Sequence, residues 1–544
     1  MKLMSAEEAA ALVNDRDTIL IGGSGGGHAV PDALMAAVEK RFIATGSPRE
    51  ICSIHPVGLG DRVSTGASRF AHKGLLKRIV CGALVDSPPV AEMAKNNDVE
   101  AYTLPQGVIS HLVREIAAGR PGLITHVGLH TFVDPRIAGG RQSETAREPL
   151  VEVISLDGKE WLFYKSFNVN VAFIRGTTAD EDGNISMEDE AVYGEMLSMA
   201  QAARNCGGIV IAQVKRLAAR ASLPAKSVKV PGMLVDAVVV VPQQSQTFRT
   251  FYDASYAGEI RVPVDSLPRL PMDARKIIAR RCALELYSGA ICNVGSGIST
   301  GMPLIAAEEG VLDCVTLTNE QGVIGGVPVD GYDFGAGRNY AALVDQPYQF
   351  DFYDGGGIDL AYLSAAEVDR AGNVNVSRFG NKIIGIGGFV NISQSAKKVM
   401  FSGTFTAGGL DVSCREGRLE VISEGRSRKF VEAVRQISFS GSHAASRGQD
   451  VMFITERAVF RLRDGEVELT EMADGISLET HILALMDFRP KISPDLKAMD
   501  SRLFQNGLMG LSKDLATRSQ SRRHPRLQLH GHARPPAASR DCVD

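Results

Sequence analysis

The sequence predicts an open α/β fold built from two tandem, related domains. Three observations carry this: short apolar, β-branched runs alternate with helix-like stretches; paired motifs recur in the same order in both halves; and glycine clusters follow the apolar runs.

Residues 18–21, 78–81, 209–214, 237–241, 290–294 and 314–318 are mainly apolar, broken by Arg78, Gln213, Asn293 and threonines but not alternating with polar residues. That pattern marks strands covered by helices on both faces of a mostly parallel sheet. Helices are predicted over 31–42, 188–205 and 272–286. The repeat shows first in Gly23-Ser24-Gly25 followed by Pro31, matched by Gly295-Ser296-Gly297 followed by Pro303. It shows again in Asp182-Gly183-Asn184-Ile185-Ser186, matched by Arg370-Ala371-Gly372-Asn373-Val374-Asn375. The unequal spacing of these pairs places an insertion in the first half, at about 123–163. The predicted organisation is a first domain over 1–260, a proline-bearing linker over 261–271, a second domain over 272–510 and a disordered basic tail over 511–544. The stretch 517–540 is rich in Arg, Ser, His and Pro, with no apolar period, and is expected to be disordered.

Composition narrows the function classes. At 44% hydrophobic, 22% charged and a net charge of −4, the chain offers no nucleic-acid or membrane surface as a main partner. No apolar run approaches the ~18 residues that span a bilayer, and the start carries Glu7 and Glu8 rather than a basic flank, so a cytoplasmic protein is expected. The eight cysteines include no C-x-x-C pair and are expected to be free thiols.

Several chemistries lack their motifs. There is no phosphate-binding G-x-x-x-x-G-K-[ST] and no H-E-x-x-H. The glycine loops at 22–27, 295–297, 335–337 and 385–388 all miss the dinucleotide spacing G-x-G-x-x-G. His126 and His130 stand at i, i+4 without a carboxylate, so no metal site is expected. The concentrated signal lies at 311–338, where an apolar strand runs into Asn319, Glu320 and Gln321 and then into Gly322, Gly325, Gly326, Gly331, Gly335 and Gly337. In open α/β sheets ligands bind beyond the carboxyl ends of strands. Glu320 is thus placed to meet a substrate, although from this pattern alone a loop-capping or ion-paired role stays open.

Asn319-Glu-Gln-Gly322 resembles the E-x-G nucleophile motif of the family I coenzyme A transferases. Further segments are similar to the branch containing propionate and acetate CoA-transferases: Leu104-Pro-Gln-Gly-Val-Ile-Ser-His111, Gly128-Leu-His-Thr-Phe-Val-Asp-Pro-Arg136, Arg175-Gly-Thr-Thr-Ala-Asp-Glu-Asp-Gly-Asn184 and Gly385-Ile-Gly-Gly-Phe-Val-Asn-Ile392. The resemblance covers roughly 1–500 in the family's order. It implies two tandem CoA-transferase-like domains of the kind shared with sugar-phosphate isomerases. It also implies a ping-pong transfer of CoA from a short-chain acyl-CoA to a free carboxylate, through an acyl anhydride and then a CoA thioester on Glu320. A thioester hydrolase on the same scaffold is the alternative.

By the same resemblance Gly388 supplies an oxyanion-binding N–H and Gln106 a side-chain amide to the acyl oxygen, which makes Glu320, Gln106 and Gly388 the catalytic set. Gly25 and Gly26 would face the acyl group. Val294, Gly295, Ser296, Gly297, Ile298 and Gly387 would contact CoA, and Lys398 is a candidate charge for its phosphates. The resemblance further implies no tightly bound cofactor, coenzyme A as a substrate and a homo-oligomer, typically a tetramer. The lack of a fixed cation near the motif, Arg338 apart, points to short acyl groups with neutral tails.

Overall fold

The computed structural model describes residues 1–415 and 417–517. The first half is built on eight strands: β1 (Lys2–Met4), β2 (Thr18–Ile21), β3 (Ile51–His55), β4 (Leu76–Cys81), β5 (Glu100–Thr103), then β9 (Val171–Arg175), β10 (Ile209–Val214) and β11 (Ala237–Val240). Their spatial order is β1-β11-β10-β9-β2-β3-β4-β5, and every pairing is parallel. Between β5 and β9, strands β6 (Gly122–Thr125), β7 (Val151–Leu156) and β8 (Lys159–Lys165) form a separate antiparallel sheet.

The second half carries β12 (Ile291–Val294), β13 (Thr316–Thr318), β14 (Val323–Ile324), β15 (Ala342–Leu343), β16 (Leu360–Ser364), β17 (Lys398–Ser402), β18 (Asp450–Ile454), β19 (Ala458–Arg463), β20 (Glu466–Met472) and β21 (Lys491–Ala498). They run in the order β15-β14-β13-β12-β16-β17-β18-β19-β20-β21. The block β11-β10-β9-β2-β3 of the first sheet and β18-β17-β16-β12-β13 of the second share one parallel topology, which is the structural form of the repeat in the sequence. The crossover from β2 to β9 also adds β4 and β5 to its sheet, where its counterpart adds only the short antiparallel β14 and β15. The two halves therefore differ by more than the predicted insertion.

The helices that position the site are α1 (Asp32–Thr45), α2 (Gln106–Ala117), α3 (Met196–Asn205), α4 (Ala274–Ala283), α5 (Gly301–Glu308), α6 (Gln346–Asp354), α7 (Phe389–Ser395) and α8 (Leu511–Thr517). α3 starts well inside its predicted range because the acidic residues ahead of it are committed elsewhere. Glu188 and Asp189 pair with Arg216, and buried Glu190 pairs with buried Arg175 at 2.9 Å. Asp273 caps α4 by accepting from Lys276 N, which trims that helix at its start as well.

Residues 511–517 depart from the predicted tail. They form α8, which buries Leu511 and Leu515, and the Glu309 carboxylate accepts from the N–H groups of Met509, Gly510 and Leu511 at 2.6–3.0 Å. The remainder of the predicted disordered stretch, from 518, lies outside the described residues. Among the described residues the cysteines are free, and no helix is long and apolar enough to cross a membrane.

Candidate active site

Glu320 stands two residues beyond β13, at the carboxyl end of the second sheet, and is 9% exposed. The turn that presents it is fixed by Asn319, whose side-chain oxygen accepts from Gln321 N (3.2 Å) and Val323 N (3.3 Å) while its amide donates to Gly335 O (2.9 Å). The chain reverses at Gly322, where φ is +103° and a Cβ would overlap the Val344 carbonyl, so only glycine fits. Beneath the turn, the Tyr353 hydroxyl of α6 donates to Thr318 Oγ1 (2.7 Å) and accepts from Gln349 (2.8 Å) and Asn293 (3.2 Å). Gln349 also donates to the Asn319 carbonyl at 3.2 Å. This buried network holds the backbone of Glu320 from below.

The Glu320 carboxylate itself is poorly satisfied: Oε2 has no hydrogen-bond partner among the described residues. Burial outweighs the hydrogen bonds it does receive and raises its pKa from 4.5 to about 6. The carboxylate is thus buried yet largely ionised near neutrality.

Two loops close over it. Gly388 lies so near that a Cβ there would sit 3.3 Å from Glu320 Cγ. The preceding segment is pinned to the first domain, with Ile386 N and Gly387 N both donating to Gly82 O at 2.9 Å. The Gly388 N–H, in contrast, has no acceptor among the described residues. Gln106, at the start of α2, donates its backbone N–H to Gly387 O (2.9 Å) and its side-chain amide to Gln346 Oε1 (2.9 Å). Gln346 in turn donates to Glu195 (2.8 Å) and Ser110 (2.8 Å). Glu195 is buried at the head of α3, and desolvation pushes its pKa up to about 8. The fold therefore brings Glu320, Gln106, Gly387 and Gly388 together from three separate stretches of chain.

The first-domain glycine loop meets the second domain on the far side of Glu320. His28, kept neutral by burial, donates through Nε2 to Phe334 O (3.1 Å) and leaves Nδ1 unpartnered. A Cβ on Gly335 would lie 3.3 Å from the His28 ring and 3.4 Å from the Gln321 carboxamide. Gln321 Oε1, Ser24 Oγ and Asn293 Oδ1 are also buried without partners. Buried polar atoms are seldom left unpaired in a folded protein, so several near one carboxylate fit a cleft shaped for a polar ligand. Gly26 serves the domain contact, since the Tyr332 carbonyl occupies the place a Cβ would take. Gly25 has only Phe334 O, at 3.9 Å, near its Cβ position.

The loop from Val294 to Ile298 follows β12, next to Glu320 in the sheet. Val294 and Gly295 are buried, Ser296 and Gly297 exposed, and Ile298 half-buried. The N–H groups of Ser296 and Gly297 make no hydrogen bond within the described protein. Lys398 is not part of this region. It begins β17 at the opposite, amino end of the sheet, is 6% exposed and pairs with Glu285 (2.7 Å) and Asp450 (3.1 Å). Its sequence context gave no sign of those two distant carboxylates. Arg338 is likewise engaged, with Asp253 at 3.4 Å. Asn319 lay within the motif, whereas Gln346, Gln349, Tyr353 and Glu195 carry no signal in sequence, because their roles arise from contacts between distant segments.

A profile for coenzyme A transferases matches residues 3–241. The acetate CoA-transferase YdiF of Escherichia coli (strain K12) is 44% identical over 509 residues, 93% of this chain and 96% of that protein. The chain belongs to the coenzyme A transferase family. It is a CoA-transferase by this kinship, and the caffeate CoA-transferase of Acetobacterium woodii is 43% identical over 519 residues, 94% of this chain and 98% of the relative. The apoenzyme structure of acyl-CoA transferase YdiF from E. coli O157:H7 superposes with a TM-score of 0.90 at 44% identity, covering 94% of this chain and 97% of the other. The structure of that protein's thioester complex with CoA gives 0.89 at 43% identity, again covering 94% and 97%.

Proposed function

We propose that the enzyme moves CoA from a short-chain acyl-CoA to a free carboxylate through two covalent intermediates on Glu320. An ionised Glu320 oxygen attacks the thioester carbonyl, the C–S bond breaks, and CoA leaves as a thiolate with an acyl-glutamyl anhydride behind it. The thiolate then attacks Glu320 Cδ and expels the acyl group as a carboxylate, leaving a glutamyl-CoA thioester. An incoming carboxylate reverses both steps. Thioester energy is kept throughout, so the exchange needs neither ATP nor a metal or tightly bound cofactor.

Each attack builds a tetrahedral oxyanion that requires donors fixed in advance. The unpaired N–H of Gly388 beside Glu320 is suited to that role, and the second amide hydrogen of Gln106 to the acyl oxygen. The observation that carries this reading is Glu320 itself: buried, with one oxygen unpartnered and its pKa raised to about 6. The relatives' names point to both a small acid and an aromatic one, at nearly equal identity. Short neutral acids are favoured here because Arg338 is already paired with Asp253.

The test is to incubate the protein with acetyl-CoA or propionyl-CoA, trap with borohydride or hydroxylamine, and map the product by mass spectrometry. Modification of the peptide at Glu320 is expected. Modification elsewhere, or none with several acyl-CoAs, would sink the mechanism.

A further inference from the structure

Three helix starts meet beside the site: α2 opens on Gln106, α6 opens on Gln346, and Glu195 stands immediately before α3. Ser110 lies one turn into α2, on the same face as Gln106. All four side chains are buried. Backbone bonds lock the meeting point, with Gln346 N donating to Gly194 O and Gln106 N to Gly387 O, both at 2.9 Å. An acid ahead of a helix commonly accepts from that helix's own first N–H groups. Glu195 makes no such cap on α3 and turns its side chain to Gln346 instead.

The four side chains form a relay with a fixed direction. Gln346 Nε2 donates to Glu195 Oε2 and to Ser110 Oγ, each at 2.8 Å, and Ser110 Oγ donates to Glu195 Oε2 at 3.0 Å. Both hydrogens of the Gln346 amide are used on that side, so its carbonyl faces the other way, where it accepts from Gln106 Nε2 at 2.9 Å. A flipped glutamine amide has nearly the same shape, so only a neighbour of fixed polarity decides which end Gln106 presents. Glu195 is the source of that polarity. Its Oε2 already takes two donors, while Oε1 has no partner among the described residues. A proton held by this desolvated acid therefore belongs on Oε1, and Oε2 accepts in either protonation state. The Gln106 nitrogen is thus held against Gln346 with one N–H to spare. Its carbonyl lies on the Gly387 side, 3.5 Å from where a Cβ on that glycine would be.

We infer that Glu195 is a positioning residue that acts through Gln346 to set the amide of Gln106 with its N–H, rather than its carbonyl, towards the acyl oxygen. This rests on the CoA-transfer reading above, in which Gln106 donates to that oxygen. A flipped amide would set carbonyl lone pairs against the developing oxyanion, so the relay turns an ambiguous side chain into an oriented donor.

The test measures exchange between acetyl-CoA and propionate in a set of variants. Glu195→Met removes the acceptor at similar length, and kcat is expected to fall ~10–100-fold while KM for acetyl-CoA changes less than ~3-fold. Gln346→Met cuts the same relay one step nearer the site. Its cost should be similar, and the two changes together should cost little more than either alone. Glu195→Gln keeps a carbonyl that accepts from Gln346 and Ser110, and should recover most of the rate lost in Glu195→Met. The deciding comparison is made on a Gln106→Ala background, where adding Glu195→Met should lower kcat by less than ~2-fold, because nothing is left to orient. A packing role would keep its full cost there. If Glu195→Met does not fold, Gln346→Met takes its place in this comparison. Full activity in Glu195→Met, or a cost that persists on the Gln106→Ala background, would overturn the inference. A Gln106→Ala variant as fast as wild type would remove the donor role of Gln106, and the inference with it. Trapping the Glu320 adduct on wild type separates all of these from a failure of the transfer mechanism.

Discussion

Replacing Glu320 with Gln should make the protein more stable and inactive, and the size of the gain follows from its burial. An unfolded-state glutamate ionises near 4.5, while in the fold Glu320 holds its proton until about 6. Between those values the unfolded chain binds fewer protons than the native one, so the contribution of Glu320 to stability falls as pH rises through the window. Above it the ionised carboxylate costs the fold about 2 kcal/mol, the free-energy equivalent of the two pKa values. Glutamine never ionises, and whatever its amide gains or loses in the same cleft does not vary with pH. Urea unfolding of both proteins at pH 4 and pH 8 should therefore show the stability difference, variant minus wild type, growing by about 2 kcal/mol in favour of the variant. Exchange activity should fall by at least ~10³-fold. A stability difference independent of pH would mean that the carboxylate is not desolvated, and retained exchange would mean that it is not the nucleophile.

Two other outcomes are expected. The acid limb of kcat/KM should lie near pH 6, because the attacking form of Glu320 is the ionised one; a limb near 4.5 would contradict the burial argument. Gly388→Ala is conformationally tolerable, since φ and ψ there are −81° and 0°, but its Cβ would press at 3.3 Å on Glu320 Cγ, Ile392 and Phe350. Steady-state kinetics should show kcat reduced ~10–100-fold with urea stability nearly unchanged; full activity would show that the contact does not constrain the nucleophile.

The core strands were legible because two-sided burial leaves a mainly apolar run: 18–21 and 209–214 match β2 and β10 residue for residue. Helix starts were less so. The range 188–205 has helical composition, but Glu188, Asp189 and Glu190 are drawn into ion pairs with arginines far along the chain, and no local pattern encodes those partners. Lys398 makes the same point: a single lysine at the start of a strand, it is neutralised by Glu285 and Asp450 at the amino end of its sheet.

By itself, the sequence determined the doubled α/β plan, the position of the carboxylate at a strand end and the glycines that let backbone crowd around it. These are properties of local pattern and backbone freedom. Only the tertiary structure decided how Glu320 is charged, what is unpaired beside it and which amides face it. Desolvation and hydrogen-bond satisfaction depend on every segment packed around a group: Gly82 and Gln106 from one domain, Tyr353 and Gly388 from the other. No stretch of sequence carries that sum.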